Sequence, residues 1–240
     1  AESGGERAEE VLRRAEERLR NCGLEVEAGE RVVWDPADAI KVAEQLSQER
    51  LNLLVVIHVT WVLDTIQYIL MNTVKVPVIL WALPFTETFS LACVQHFGSI
   101  LWERKIPYKY VYGLPEDKEV ISPIASFAFT AKVAQNLRGA KIALIGPRQT
   151  WRAAGPQDMT HEEWDLTGAF GVKIVHIEME ELIKRAEEES EKEANEALQG
   201  MKQNNRVGKV EVDEEHLIYA SRVYLGIKDL FEKHNLTAAT

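Results

Sequence analysis

Cysteine is nearly absent: Cys22 and Cys93 lie far apart, with no C-x-x-C pair. That excludes a disulfide framework and a thiolate metal site, and it fits a reducing compartment. Long apolar runs are missing as well. The longest, Leu51 to Leu63, is broken by His58 and stopped by Asp64, well short of the roughly 20 residues that span a bilayer, so no transmembrane helix and no membrane partner are expected. Positive charge is in deficit, with 28 Lys and Arg against 38 Asp and Glu for a net charge of −10. This is the wrong sign for neutralising phosphates, so nucleic acid is not an expected partner. Neither G-x-G-x-x-G nor G-x-x-x-x-G-K-[ST] occurs, so no phosphate cradle for NAD or ATP is encoded. The opening AESGGERAEEVLRRAEERLR is charged and helix-forming, unlike a secretory signal or a transit peptide, and the expected location is the cytoplasm.

What is present reads as alternating helices and strands. With 46% hydrophobic residues in 240, the chain can bury two modest cores or one large one. Val11, Leu12, Ala15 and Leu19 share one face of a first helix, with Gly23 as a C-cap. A short strand is expected at Arg31–Trp34, then Asp35 as N-cap and Pro36 as first-turn residue of a helix over 37–49. Leu51–Val59 (LNLLVVIHV) and Pro77–Ala82 (PVILWA) are short, branched and apolar on both parities, as central parallel strands are. A helix over 63–71 joins them. Helix 89–103, strand Tyr108–Tyr112 (YKYVY), the turn Gly113-Leu114-Pro115 and helix 121–137 complete a first α/β unit.

A second unit follows, with strand Lys141–Ile145 (KIALI) after Gly139, a helix over 162–170 and strand Val172–Ile177 (VKIVHI). The acidic stretch 178–196 holds nine acids and three bases and reads as one solvated helix with a weak apolar stripe. Helix 214–234 ends the chain. The expected fold is α/β, two consecutive doubly wound (Rossmann-like) parallel-sheet domains, 1–138 and 139–240.

In such sheets ligands bind beyond the carboxyl ends of the strands. The loops there are His58–Trp61, Trp81–Glu87 and Tyr112–Asp117 in the first domain, and Gly146–Arg152 and His176–Glu178 in the second. Metal and acid–base signals are thin. His161-Glu162-Glu163 lacks the second His of H-E-x-x-H, and Glu178-Met179-Glu180-Glu181 reads as the acidic first turn of a helix. His58 reads as a strand-end histidine satisfied by a neighbouring backbone group, and His96 and His176 carry no functional signal. Among six tryptophans, Trp61, Trp81 and Trp151 fall at strand ends. An indole there either fills the core or offers its face to the apolar face of a sugar ring.

The succession VVIHVTW, VPVILWALPFTET, IPYKYVYGLPED, LRGAKIALIGPRQTW and FGVKIVHIEMEEL resembles the first two domains of the L-fucose isomerase and L-arabinose isomerase family. The likeness lies in order and spacing over nearly the whole chain, and no single motif is diagnostic. It implies a metal-dependent aldose–ketose isomerase, usually with Mn²⁺, that moves a proton between C1 and C2 of an open-chain sugar. In the family, carboxylates transfer the proton while a Glu, an Asp or Glu, and a His hold the metal. Two departures accompany the likeness: the family's first strand, with its arginine, precedes the point where this chain opens, and the family's metal ligands and catalytic carboxylates come after Thr240. The resemblance therefore implies no catalytic or metal-ligating residue here, no Mn²⁺ bound by this chain and no activity in isolation. It implies substrate contacts at Thr60 and Trp61 in HVTW and at Trp81 and Phe85 in the next loop, and a homo-oligomer or a catalytic second half as partner. Two other readings stay open: a stand-alone sugar-binding or regulatory module whose two lobes close on a ligand without turnover, and a purely structural assembly domain.

Overall fold

The computed structural model describes residues 7–146, 162–204, 208 and 210–240. The mixed α/β chain divides into two compact units, Ala1–Gln135 and Asn136–Thr240. Trp151, most of the Gly146–Arg152 loop and His161 lie outside the described residues.

The first unit begins with α1 (Ala8–Asn21), which buries Ala8, Val11, Ala15 and Leu19 along one stripe. The Gly23 N–H closes on the Arg20 carbonyl with φ +83°, a conformation that only glycine adopts without strain. No strand forms at Arg31–Trp34. Side chains of the following helix take the backbone groups of this region: the Gln45 amide binds Glu30 N–H and Ala28 C=O, and an Asp38 carboxylate oxygen accepts from Trp34 N–H. Of these groups only the Trp34 N–H lies within 31–34, and its bond to Asp38 takes that donor from any strand partner. That helix, α2 (Pro36–Ser47), has Asp35 as its N-cap, accepting from Asp38 N–H at 2.9 Å, and Pro36 in its first turn.

Then come β1 (Leu54–His58), α3 (Asp64–Val74), β2 (Val78–Ala82), a single 3₁₀ turn (Thr86–Thr88), α4 (Ser90–Glu103), β3 (Tyr108–Tyr112) and α5 (Lys118–Leu137). The strands lie in the order β1-β2-β3, all parallel, with Ile57 beside Trp81 and Trp81 beside Val111. Two hydrophobic clusters form on opposite faces of this sheet. On one, Val42 and Leu46 of α2, Leu70 of α3 and Val94, Phe97 and Leu101 of α4 meet Val78, Leu80 and Ala82. On the other, Val11, Ala15 and Leu19 of α1 and Val120, Ile121 and Ile124 of α5 meet Ile79, Trp81 and Val111. β2 is buried throughout, which accounts for a strand apolar on both parities. Burying each such side chain stabilises the fold by about 1.5–3 kcal/mol.

The second unit holds β4 (Lys141–Ile145), α6 (Glu163–Phe170), β5 (Lys173–Ile177), α7 (Met179–Glu188), α8 (Glu191–Gln203), α9 (Glu214–His234) and β6 (Ala238–Ala239), in the parallel order β5-β4-β6. Sequence reading missed β6. It has no apolar run and exists because Thr237 and Thr240 donate to the carbonyls of Lys141 and Ala143. The acidic stretch forms two helices rather than one. The chain extends at Glu189 and Ser190, and Ser190 opens α8 with a reciprocal capping box to Glu193, satisfying two backbone donors. Leu182 and Leu230 pack with Ala143 and Ile177 over one face of the sheet.

Candidate functional site

Because β1, β2 and β3 are parallel, their carboxyl ends form one rim on the first unit, the edge where open α/β sheets bind ligands. Two of its loops are joined by their backbones. Trp61 N–H donates to the Thr88 carbonyl at 2.9 Å, and Thr60 Oγ1 donates to the same oxygen at 3.4 Å. The join holds the Trp61 indole at the rim with 38% of the residue exposed. The indole stacks on the His96 ring, centroids 5.7 Å apart at 29°. His96 comes from α4, and its Nε2 donates to Asp64 Oδ2 at 3.0 Å, from the first residue of α3. Three elements therefore place an aromatic plate, an imidazole and a carboxylate together. Sequence reading gave His96 no role and did not single out Asp64, since residues this far apart in the chain carry no shared local pattern.

Phe85, half-buried, lies under the Arg7 guanidinium, whose carbon sits 4.9 Å from the ring centroid. Arg7 Nη1 also donates to Glu87 Oε1 at 2.8 Å, and that bond holds the Glu87 carboxyl below its ordinary range. Further along the rim, Arg14 grips Glu116 through two bonds of 2.7 and 2.6 Å and lowers its carboxyl likewise.

Trp81 requires a correction. It is fully buried between the sheet and the α1/α5 layer, and its Nε1–H donates to the Gly113 carbonyl at 2.9 Å. It offers no face to a ligand and instead pins the turn after β3. Gly113 has φ +143°, and a Cβ there would come within 2.8 Å of both Asp117 Oδ2 and Val120 Cγ2, so only glycine fits.

Beneath the rim, His58 is 3% exposed. Its Nε2 bonds to Gln67 Oε1 at 2.6 Å, so its partner is a side-chain amide and not the expected backbone group. Nδ1 has no hydrogen-bond partner of good geometry. Burial pushes the imidazole pKa down, opposed in part by the Gln67 bond and by the nearby backbone of Val56 and Trp81. Gln67 Nε2 points on towards the Val62 carbonyl and Cys93 Sγ, at 3.5 and 3.6 Å. Ser90 Oγ donates to the His58 carbonyl at 2.5 Å and accepts from Leu83 N–H at 2.8 Å. These bonds tie the ends of β1 and β2 to α3 and α4.

In the second unit, His176 Nε2 and Glu163 Oε2 pair at 2.9 Å in the open, and Glu181 takes Lys233 at 2.7 Å; both are surface pairs worth little in energy. Two shallow concavities of the first unit, about 510 Å³ between α1 and residues 29–38 and about 320 Å³ near Leu51 and Val76, do not include Trp61. Among the described residues no group of three or more His, Cys, Asp or Glu is placed to hold a metal ion, and no helix is long and apolar enough to cross a membrane. No family model and no curated protein matches the chain.

Proposed function

We propose that this chain is the substrate-shaping and oligomer-forming portion of a metal-dependent aldose–ketose isomerase of the L-fucose/L-arabinose type, and that it contacts the sugar along the rim of its first sheet. On this reading each unit is a doubly wound, Rossmann-like domain. The supporting observation is the placement of Trp61: a part-exposed indole at a strand's carboxyl end, backed by His96 and flanked by the Asp64 carboxylate and the Thr60 hydroxyl. An aromatic face beside polar groups matches a sugar, whose C–H face is apolar and whose edge carries hydroxyls. Phe85 under Arg7 extends the same rim, whereas Trp81 supports it from below. The reading assigns proton transfer and metal binding to residues other than the described ones.

The test is calorimetric titration of the whole chain with L-fucose and L-arabinose. Saturable binding is expected, weakened roughly tenfold or more in Trp61→Ala, a loss of about 1.4 kcal/mol. Binding unchanged in Trp61→Ala would remove the rim from the account. A coupled ketose assay with added Mn²⁺ should give no turnover, and turnover abolished by a chelator would place the chemistry on this chain.

A further inference from the structure

Among the described residues β3 is an edge strand, and it lacks the usual protection of an edge. Natural sheets guard exposed edges with proline, a bulge, a covering loop or an outward lysine. YKYVY contains no proline and pairs with β2 in unbroken register. Its lysine is engaged elsewhere, since Lys109 Nζ lies 5.1 Å from the centroid of the Phe127 ring on α5. At the other edge every β1 residue is buried or half-buried, whereas Tyr110 and Tyr112 are 61% and 49% exposed.

The ladder fixes which backbone groups are open. Val78 N–H donates to the Pro107 carbonyl at 3.2 Å, and Gly113 N–H donates to the Ala82 carbonyl at 3.0 Å. Residues of odd number therefore bond inward to β2, and the N–H and C=O of Tyr108, Tyr110 and Tyr112 face outward. We propose that β3 is a self-pairing edge: a second copy of this chain adds its own β3 antiparallel, with the two-fold axis at Tyr110.

In that register Tyr110 exchanges both its backbone bonds with Tyr110 of the second copy, and Tyr108 does so with Tyr112. Every outward group finds a partner, as an isologous contact requires. The tyrosines stand on one face as cross-strand aromatic pairs, and Lys109 falls directly opposite Val111, with the second copy's Lys109 only on the diagonal, so no charge directly opposes its like. The tyrosine-rich edge, with its one lysine drawn over the Phe127 ring of its own chain, fits a second copy better than a charged partner. Trp61 follows β1, at the far edge of the sheet, so pairing through β3 does not involve the sugar rim. This inference deepens the oligomer-forming part of the function above and does not rest on sugar binding.

Sedimentation velocity of the full chain at micromolar concentrations tests it. A monomer–dimer equilibrium is expected, with Tyr110→Lys and Tyr110→Glu each weakening the dimer roughly tenfold or more by setting like charges face to face. An equimolar mixture of the two variants should restore the dimer, because the introduced lysine then faces the introduced glutamate. A wild-type chain that stays monomeric, variants that dimerise as wild type does, or a mixture that stays monomeric would each overturn the proposal. Should either variant fail to fold, amide exchange of the wild type decides. Exchange at Tyr108, Tyr110 and Tyr112 that slows as concentration rises supports the pairing, and exchange independent of concentration overturns it. Trp61→Ala should dimerise as wild type does, so failure of the sugar reading and failure of this one are told apart.

Discussion

Trp61 and Trp81 each sit near the carboxyl end of a neighbouring strand, yet their surroundings give them opposite roles. Trp81 is enclosed by Ile79, Leu83, Val111 and the α1/α5 layer, so Trp81→Ala leaves a cavity and should cost about 3–5 kcal/mol. Trp61→Ala loses only the stack on His96 and a partial burial, on the order of 1 kcal/mol. Urea unfolding of the two variants should separate them clearly, and comparable losses would place Trp61 in the core. The sequence could not make this distinction, because both residues follow the same kind of apolar run. His58 allows a second expectation. Its folded pKa lies below its ordinary value of about 6.5, so the unfolded chain binds the proton more readily. The stability due to keeping it neutral is full above about pH 6.5 and falls as pH drops towards the folded pKa, by up to about 1.4 kcal/mol per pH unit. Denaturation curves between neutral and mildly acidic pH should show this slope, and His58→Gln should flatten it. An equal slope in the variant would assign the acid sensitivity to another group.

At the scale of elements, what was legible depended on whether the signal was local. Asp35-Pro36 carries its own capping chemistry, and α2 starts there. Asp35→Ala should cost about 1 kcal/mol in thermal or chemical unfolding, since it strands the Asp38 N–H; no loss would mean that the cap does not stabilise the helix. YKYVY and the last helix form over the residues their patterns mark. Arg31–Trp34 shows the limit: its composition suits a strand, but Asp38 takes the Trp34 N–H within it and Gln45 takes Glu30 and Ala28 beside it, and contacts made from the following helix leave no mark on the segment's own pattern. The same holds for β6, which is defined by its partner β4, and for the division of the acidic stretch, where the Ser190–Glu193 capping box is a four-residue motif hidden within a run of like charge.

For the whole molecule, the parallel order β1-β2-β3 does two things at once. It gathers the Trp61, Phe85 and Gly113 loops on a single rim, and among the described residues it leaves β3 at an edge of the sheet. Parallelism was legible from strands apolar on both parities with helices between them. The convergence of Trp61, His96 and Asp64 was not, because it depends on how α3 and α4 pack against the sheet. The central claim, a sugar held on that rim, is tested most directly by following the indole N–H resonances of the full chain during titration with L-fucose or L-arabinose. The account expects a saturable shift of the Trp61 indole together with the His96 ring, while the buried Trp81 signal stays nearly still. A saturable shift confined to other tryptophans, such as Trp34 beside the α1 concavity, or no saturable shift at all, would contradict it.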